Sequence, residues 1–395
     1  MSLPPRIADR FAPLGSSIFA EMTALAIKHG AVNLSQGFPD FDGPQVAKQA
    51  AIDAINAGHA QYARMQGVPV LNRAIAASWA KRGYGQVDPD ACVTVTSGCS
   101  EAIVCSILGL LNPGDEIVIF EPYFDFYTAA AAMAGAIPRF VAIRPPARGE
   151  GAFAIDEAEL RRAFTSRTKA IIVNSPHNPT GKVFTREELA LIADLCVKHN
   201  VIAITDEVYE HLTYDAALPH IPLCTFPGMA DLTITLSSMG KTYSLTGWKV
   251  GWAIAPPHLT AGFRSAHQFN TFSTATPLQY GAAAVIANPG DSIESLKALY
   301  IRSRDQLARA LRELGLTVHR SDGTYFLMAD HSALGLGDDR AFCKHLIEKV
   351  GVAAIPPSVF YNRPELGRNL VRFAYCKKAE TMDEAILRLK KLRRG

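Results

Sequence analysis

Lys241 stands in the run Ser237-Ser-Met-Gly-Lys241-Thr-Tyr-Ser-Leu-Thr-Gly-Trp-Lys249, directly after the apolar, β-rich stretch Leu232-Thr-Ile-Thr-Leu236. A lysine at a strand end, with Ser238 before it and Lys249 behind it, suits a cofactor that carries both an aldehyde and a phosphate. The amine forms a Schiff base, while the hydroxyl and the second cation hold the phosphate. Taken alone, the segment reads equally as a surface lysine in a Ser/Gly loop, so the decision rests on the rest of the chain. Gly240-Lys241-Thr242 is not the tail of a nucleotide-binding phosphate loop, because that motif needs a glycine where Thr235 stands. No G-x-G-x-x-G follows a strand, which argues against a dinucleotide.

Other strand-like runs also end in polar groups. After Cys92-Val-Thr-Val-Thr96 comes Ser97-Gly98-Cys99-Ser100 at a helix start, either a phosphate cup of free N–H groups or a plain N-cap. Asn178, between His177 and Pro179, is either an Asx turn or an amide suited to a phenolic oxygen on a bound ring. Asp206 ends an apolar strand and is expected to be buried, and a buried carboxylate needs a partner. That partner is a protonated ring nitrogen, a structural salt bridge or a metal, the last being weakest because no cluster of ligand spacing accompanies it. Tyr209 either reaches the same side of the ring or is an ordinary half-buried aromatic. Tyr123, in Phe120-Glu-Pro-Tyr123, either stacks on a flat cofactor or belongs to the core. Arg372, flanked by apolar residues in Asn369-Leu-Val-Arg-Phe-Ala374, grips a substrate α-carboxylate or forms a salt bridge within its own domain.

The elements that position these residues follow from the patterning. From about residue 91, β-rich runs alternate with helical segments, one of which opens with the capping-box spacing Thr185-Arg-Glu-Glu188. Near-continuous apolar strands separated by helices mean a mostly parallel sheet covered on both faces. In such α/β sheets, ligands bind beyond the carboxyl ends of the strands, where the polar groups fall. After about residue 290 a long amphipathic helix and shorter strands predict a smaller α+β domain. The expected division is an arm and part of the small domain over 1–45, a large domain over 46–290 and a small C-terminal domain over 291–395.

The 395 residues, 48% hydrophobic and 19% charged, suffice for a proper core. A net charge of +3 gives no reason to expect nucleic acid. Seven cysteines without a C-x-x-C pair argue against a disulfide framework or structural zinc and for a reducing, cytoplasmic setting. No signal peptide and no membrane-spanning run is read.

Together, Asn178-Pro-Thr-Gly181, Asp206-Glu-Val-Tyr209 and Ser238-x-x-Lys241 with Lys249 resemble the class I aminotransferases, pyridoxal-phosphate enzymes of fold type I. Ser35-Gln-Gly-Phe-Pro-Asp-Phe-Asp42 and Ala354-Ile-Pro-x-Ser-Val-Phe360 are most similar to the kynurenine–oxoglutarate and methionine aminotransferase branch. The resemblance implies a seven-stranded, mostly parallel sheet and a homodimer with shared sites. It implies that Lys241 carries pyridoxal 5'-phosphate, and that Gly98, Cys99, Ser100, Ser238 and Lys249 hold its phosphate. Tyr123 would stack on the ring, Asn178 and Tyr209 contact its phenolic oxygen, and Asp206 pair with its nitrogen. Arg372, with Asn178 and the backbone of Gly37, would bind the substrate carboxylate. Tyr62 and Phe272 would serve the neighbouring subunit's site. No metal is required. The implied reaction exchanges an amino group between an L-amino acid (methionine, glutamine or aromatic) and a 2-oxo acid. The alternatives are cysteine-conjugate β-elimination at the same site and a non-catalytic effector domain. The cup departs from the frequent Ala-Gly-Ala-Thr, and Ser273 stands where some kynurenine-active relatives place a histidine.

Overall fold

Short runs of Val, Ile and Thr form the centre of the molecule because they can be buried on both faces of a sheet. The computed structural model describes residues 6–12, 15, 17–147 and 149–394. Of the expected arm, Met1 to Pro5, Pro13, Leu14 and Ser16 lie outside the described residues. The strands are β1 (Val32–Asn33), β2 (Val93–Thr96), β3 (Glu116–Glu121), β4 (Ile137–Arg144), β5 (Ala154–Ile155), β6 (Thr168–Asn174) and β7 (Ile202–Asp206). They continue as β8 (Thr233–Ser238), β9 (Gly251–Ile254), β10 (Thr317–Val318), β11 (Phe326–Asp330), β12 (Val352–Ala353) and β13 (Leu370–Ala374).

The central sheet has the order β2-β9-β8-β7-β6-β3-β4-β5. From β8 to β4 each neighbouring pair is parallel, while β9 lies antiparallel between β8 and β2, and β5 is antiparallel at the far edge. The sheet is thus mostly parallel, but it has eight strands rather than the expected seven. The extra one, β5, is too short to leave a pattern in the sequence. Strand β4 also escaped the pattern, because Pro138 and Arg139 interrupt its apolar run and its first half is only partly buried.

Alternation along the strands feeds two cores. Ile117, Ile119 and Ile172 join the core beneath the helices Gly98–Leu110 and Pro257–Asn270. Val118, Phe120, Ile171 and Val173 join the opposite core beneath the helix Arg186–His199. The latter helix carries the expected capping box, with Thr185 and Glu188 each accepting from the other's backbone N–H. A third core unites the helix Ile18–Lys28 with Ser292–Glu313 and with the antiparallel sheet β10-β11-β13. There β1 pairs in parallel with β12, tying the N-terminal part of the chain to the C-terminal part. Among the described residues, no helix is long and apolar enough to cross a membrane.

The helices Gly98–Leu110 and Pro257–Asn270 touch backbone to backbone. A Cβ added at Gly109 would lie 2.2 Å from the carbonyl oxygen of Gly262. Overpacking of this kind costs about 1–3 kcal/mol. Gly109→Ala is therefore expected to lower the unfolding free energy by that amount, read by circular dichroism as a lower urea midpoint with an unchanged m-value.

Candidate active site

The carboxyl ends of β2, β6, β7 and β8 open onto one cleft of about 670 Å³, counting its mouth. Lys241 follows β8 in the single-turn helix Met239–Thr242, which places its amine in the cleft. Burial holds that amine below the ordinary lysine range, opposed by the nearby acidic groups. Ser238, the residue before this turn, lines the same cleft.

Opposite stands the start of the helix Gly98–Leu110, whose first amides lack intrahelical acceptors. Gly98 takes a φ of +76°, which a side chain would disfavour, and a Cβ there would lie 3.3 Å from Lys249 Nζ. Lys249 itself holds a left-handed φ of 55° and donates to Ser100 Oγ at 3.5 Å. One cation and several free amides thus converge where an anion would sit. The cup is braced from below. The Ser97 N–H donates to Glu101 Oε2 at 2.5 Å, and Glu101 is held in turn by His267 Nδ1 at 2.7 Å and by the Thr271 hydroxyl.

Asp206 is 4% exposed. Burial pushes its carboxyl above the usual range, against hydrogen bonds from the Tyr127 hydroxyl (2.7 Å), the Val208 N–H and the Cys99 thiol (3.5 Å). Its own carbonyl accepts from Asn174 Nδ2 at 2.7 Å, and Asn174 Oδ1 accepts from the Asn178 N–H at 2.7 Å. The polar ends of β6 and β7 are therefore locked together.

Arg372, on β13, is 1% exposed and lies over the rings of Phe19, Phe326 and Phe360. Burial lowers its guanidinium to about 10. Its Nη1 donates to Asn178 Oδ1 at 3.0 Å and its Nη2 to the Ser35 carbonyl at 3.1 Å, while Nε has no partner. Because arginine can only donate, Asn178 must turn its oxygen to Arg372 and keep its NH₂ for the cleft. Tyr209 lines the cleft with its ring edge-on to Tyr325. Among the described residues, Lys241, Asp206 and Arg372 form no ion pair.

The expected residues gather with three exceptions. Tyr123 does not line the cleft: its ring packs on Phe140, 5.5 Å between centroids, and Phe124 lines the cleft instead. The Tyr123 N–H is tied to the Phe360 carbonyl at 2.8 Å, and the next side chain turns inward. Tyr62 and Phe272 lie edge to face at 5.8 Å, are 86% and 40% exposed, and stand apart from their own chain's cleft. Tyr127 and Asn174 escaped the sequence reading. Tyr127 sits in an alanine-rich helix, Phe126–Ala134, and only its place one turn beyond Tyr123 hinted at a role. The buried group Glu207, Glu210 and His220 behind β7 is already engaged: His220 Nε2 lies 2.7 Å from Glu207, and Glu210 pairs with Arg82 and accepts from Ser237 at 2.6 Å.

The family described as aminotransferase class I and II matches residues 29–389. A probable N-succinyldiaminopimelate aminotransferase, DapC, of Mycobacterium tuberculosis is 47% identical, over 96% of this chain and 97% of that one. The methionine aminotransferase of Escherichia coli is 40% identical, over 96% of each chain. The solved structure of N-succinyldiaminopimelate aminotransferase from Mycobacterium tuberculosis superposes with a TM-score of 0.94, at 48% identity, covering 98% of this chain and all (100%) of that one.

The raised pKa of Asp206 has a consequence for stability. With the carboxyl held above its unfolded value, the folded protein bears a penalty for the charged form at neutral pH. That penalty fades as pH falls through the raised value toward the ordinary carboxylate range. Cofactor-free Asp206→Asn is expected to melt a few degrees above the cofactor-free wild type at pH 7.5, with the difference narrowing as pH is lowered toward the ordinary carboxylate range, by differential scanning fluorimetry.

Proposed function

The chain belongs to the aminotransferase class I and II family, and on that premise we propose that it transfers an amino group from an L-amino acid with an uncharged side chain to a 2-oxo acid, with pyridoxal 5'-phosphate held on Lys241. The observation that carries this reading is the trio Lys241, Asp206 and Arg372: the first two line one cleft, the third meets that cleft's Asn178, and none of them makes a salt bridge among the described residues. Isolated buried charges are costly, and this cofactor with its substrate would relieve each. Lys241 would give up its free amine to the aldehyde with loss of water, Asp206 would face a protonated ring nitrogen, and Arg372 would face an α-carboxylate.

In this reading the amides of Gly98, Cys99 and Ser100, the Ser238 hydroxyl and the Lys249 ammonium receive the phosphate. Phe124 takes the stacking place first assigned to Tyr123. The Asn178 NH₂ and the Tyr209 hydroxyl donate to the phenolic oxygen, and Asp206 keeps the ring nitrogen protonated. When bound, the cofactor supplies an electron-withdrawing ring that stabilises negative charge at the substrate α-carbon. Lys241, its amine lowered by burial, is the base that takes the α-proton and returns it on the cofactor side. Arg372, assisted by Asn178 and the Gly37 backbone, orients the substrate so that this proton faces Lys241.

Among the described residues no second arginine joins Arg372 at the cleft, which favours methionine, glutamine or an aromatic amino acid over a dicarboxylic donor. The name of the Mycobacterium relative makes N-succinyl-diaminopimelate the donor against which these should be ranked. None of the relatives named above is a lyase, so β-elimination gains no support. We further propose a homodimer in which Tyr62 and Phe272 complete the neighbour's site; their exposure on the single chain supports this. The proposed division places a large unit at 46–290 and a small unit at 291–395, with residues 1–45 forming an arm and part of the small unit.

Two measurements test the assignment. Wild-type protein loaded with pyridoxal phosphate is expected to lose its yellow absorbance with L-methionine and no 2-oxo acid, releasing one 2-oxo acid per site. Persistence of the band with methionine, glutamine, phenylalanine and N-succinyl-diaminopimelate alike would overturn the reading. Lys241→Ala is expected to reduce turnover by at least about a thousandfold with an unchanged circular dichroism spectrum; substantial activity in that variant would reject Lys241 as the base.

A further inference from the structure

Consecutive carbonyls from Ser35 to Phe38 are each taken by a donor from the C-terminal part of the chain. Arg372 Nη2 donates to the Ser35 oxygen at 3.1 Å, and Lys377 Nζ donates to those of Gln36 at 3.3 Å and Phe38 at 2.7 Å. The Tyr325 hydroxyl donates to the Gly37 oxygen at 2.6 Å. The amides of the same stretch divide. Those of Ser35 and Gln36 end on Asn33 Oδ1 at 2.9 and 3.3 Å, whereas those of Gly37 and Phe38 have no acceptor among the described residues.

The geometry of the peptide unit connects the two observations. A trans peptide points its C=O and N–H in opposite directions, and none of these peptides is cis. Holding the Gln36 oxygen on Lys377 therefore aims the Gly37 N–H away from Lys377. Holding the Gly37 oxygen on Tyr325 does the same for the Phe38 N–H. A cation on a carbonyl also polarises its peptide and strengthens the N–H as a donor. The turn approaches its supports closely, since a Cβ on Gly37 would lie 2.7 Å from Phe326 Cζ. Lys377 is 4% exposed, has no carboxylate partner among the described residues, and lies 4.9 Å from the centre of the Phe38 ring. A buried ammonium with no counter-ion needs some compensation, and here carbonyls on both sides of one glycine supply it.

We propose that Lys377 is a positioning residue for recognition of the amino acid's α-carboxylate. By clamping the carbonyls of Gln36 and Phe38 it presents the Gly37 amide as a donor beside Arg372. The inference rests on the transaminase reading above and adds a residue that never touches substrate.

The test uses cofactor-loaded protein and 4-(methylthio)butanoate, which keeps the side chain and carboxylate of methionine but lacks its amine. Lys377→Met is expected to weaken calorimetric binding of this acid about tenfold, the size of one lost hydrogen bond to a charged group. Lys377→Arg, which can still reach both carbonyls, should stay close to wild type. The slow bleaching of the cofactor by 3-(methylthio)propylamine, which has no carboxylate, should be the same in wild type and Lys377→Met. Unchanged acid binding in Lys377→Met would overturn the proposal, and so would equal losses with the acid and the amine, which would mark a merely structural lysine. If Lys377→Met does not fold, Lys377→Gln, with one neutral donor left, must show the same carboxylate-specific loss at smaller size. A wild type that turns over no amino acid would sink the transaminase reading itself, whereas an active wild type with an indifferent Lys377→Met would sink only the role given to Lys377.

Discussion

A buried charge without a salt bridge is among the most expensive things a folded chain can carry, and this protein concentrates such charges at one place. Asp206 at the end of β7 and Lys241 after β8 face one cleft, and Arg372 on β13 meets that cleft's Asn178. Two of them are supported by neutral partners: Tyr127 and Cys99 on Asp206, and Asn178 with the Ser35 carbonyl on Arg372. Neutral dipoles hold a charge in place without cancelling it, so the site stays avid for a complementary ligand. Hydrophobic burial elsewhere has to offset the deficit, and the cores on both faces of the central sheet supply it.

The sheet also explains why the charges meet. Neighbouring parallel strands end on the same side, so Asn174 and Asp206, register partners on β6 and β7, become a hydrogen-bonded pair. Strand β8 runs alongside with Asp206 opposite Leu236, and Lys241 follows shortly after. Arg372 does not come from this sheet. It comes from β13 and meets the turn after β1, segments remote in sequence that share one core.

Legibility in the sequence followed the range of the interactions. The strand runs, the Thr185–Glu188 capping box and the polar strand ends were readable because each is a local pattern with a local cause. Strand β4 was not, since Pro138 and Arg139 interrupt its apolar run; they are tolerated because β5 pairs only with Ile143 and Arg144 and leaves the outer edge of β4 open beside them. The choice between Tyr123 and Phe124 was hidden for another reason. Adjacent residues differ only in which way the backbone turns them, and that turn is set by a hydrogen bond to distant Phe360. Lys377 left no local signal at all: in sequence it is one lysine beside another, and its significance exists only where the chain's two ends meet.

The crossing of Gly109 on Gly262 gives the helix Gly98–Leu110 a mechanical character. A helix is stiff along its axis, and at 1.5 Å per residue Gly109 stands about 16 Å from Gly98. One end of this rod is the anion cup, and the other rests against a second helix with no slack. A push at the far end cannot be absorbed by rotating a side chain, because neither contact has one. The spacing of the two helices at this joint is therefore set by backbone against backbone, well outside the cleft.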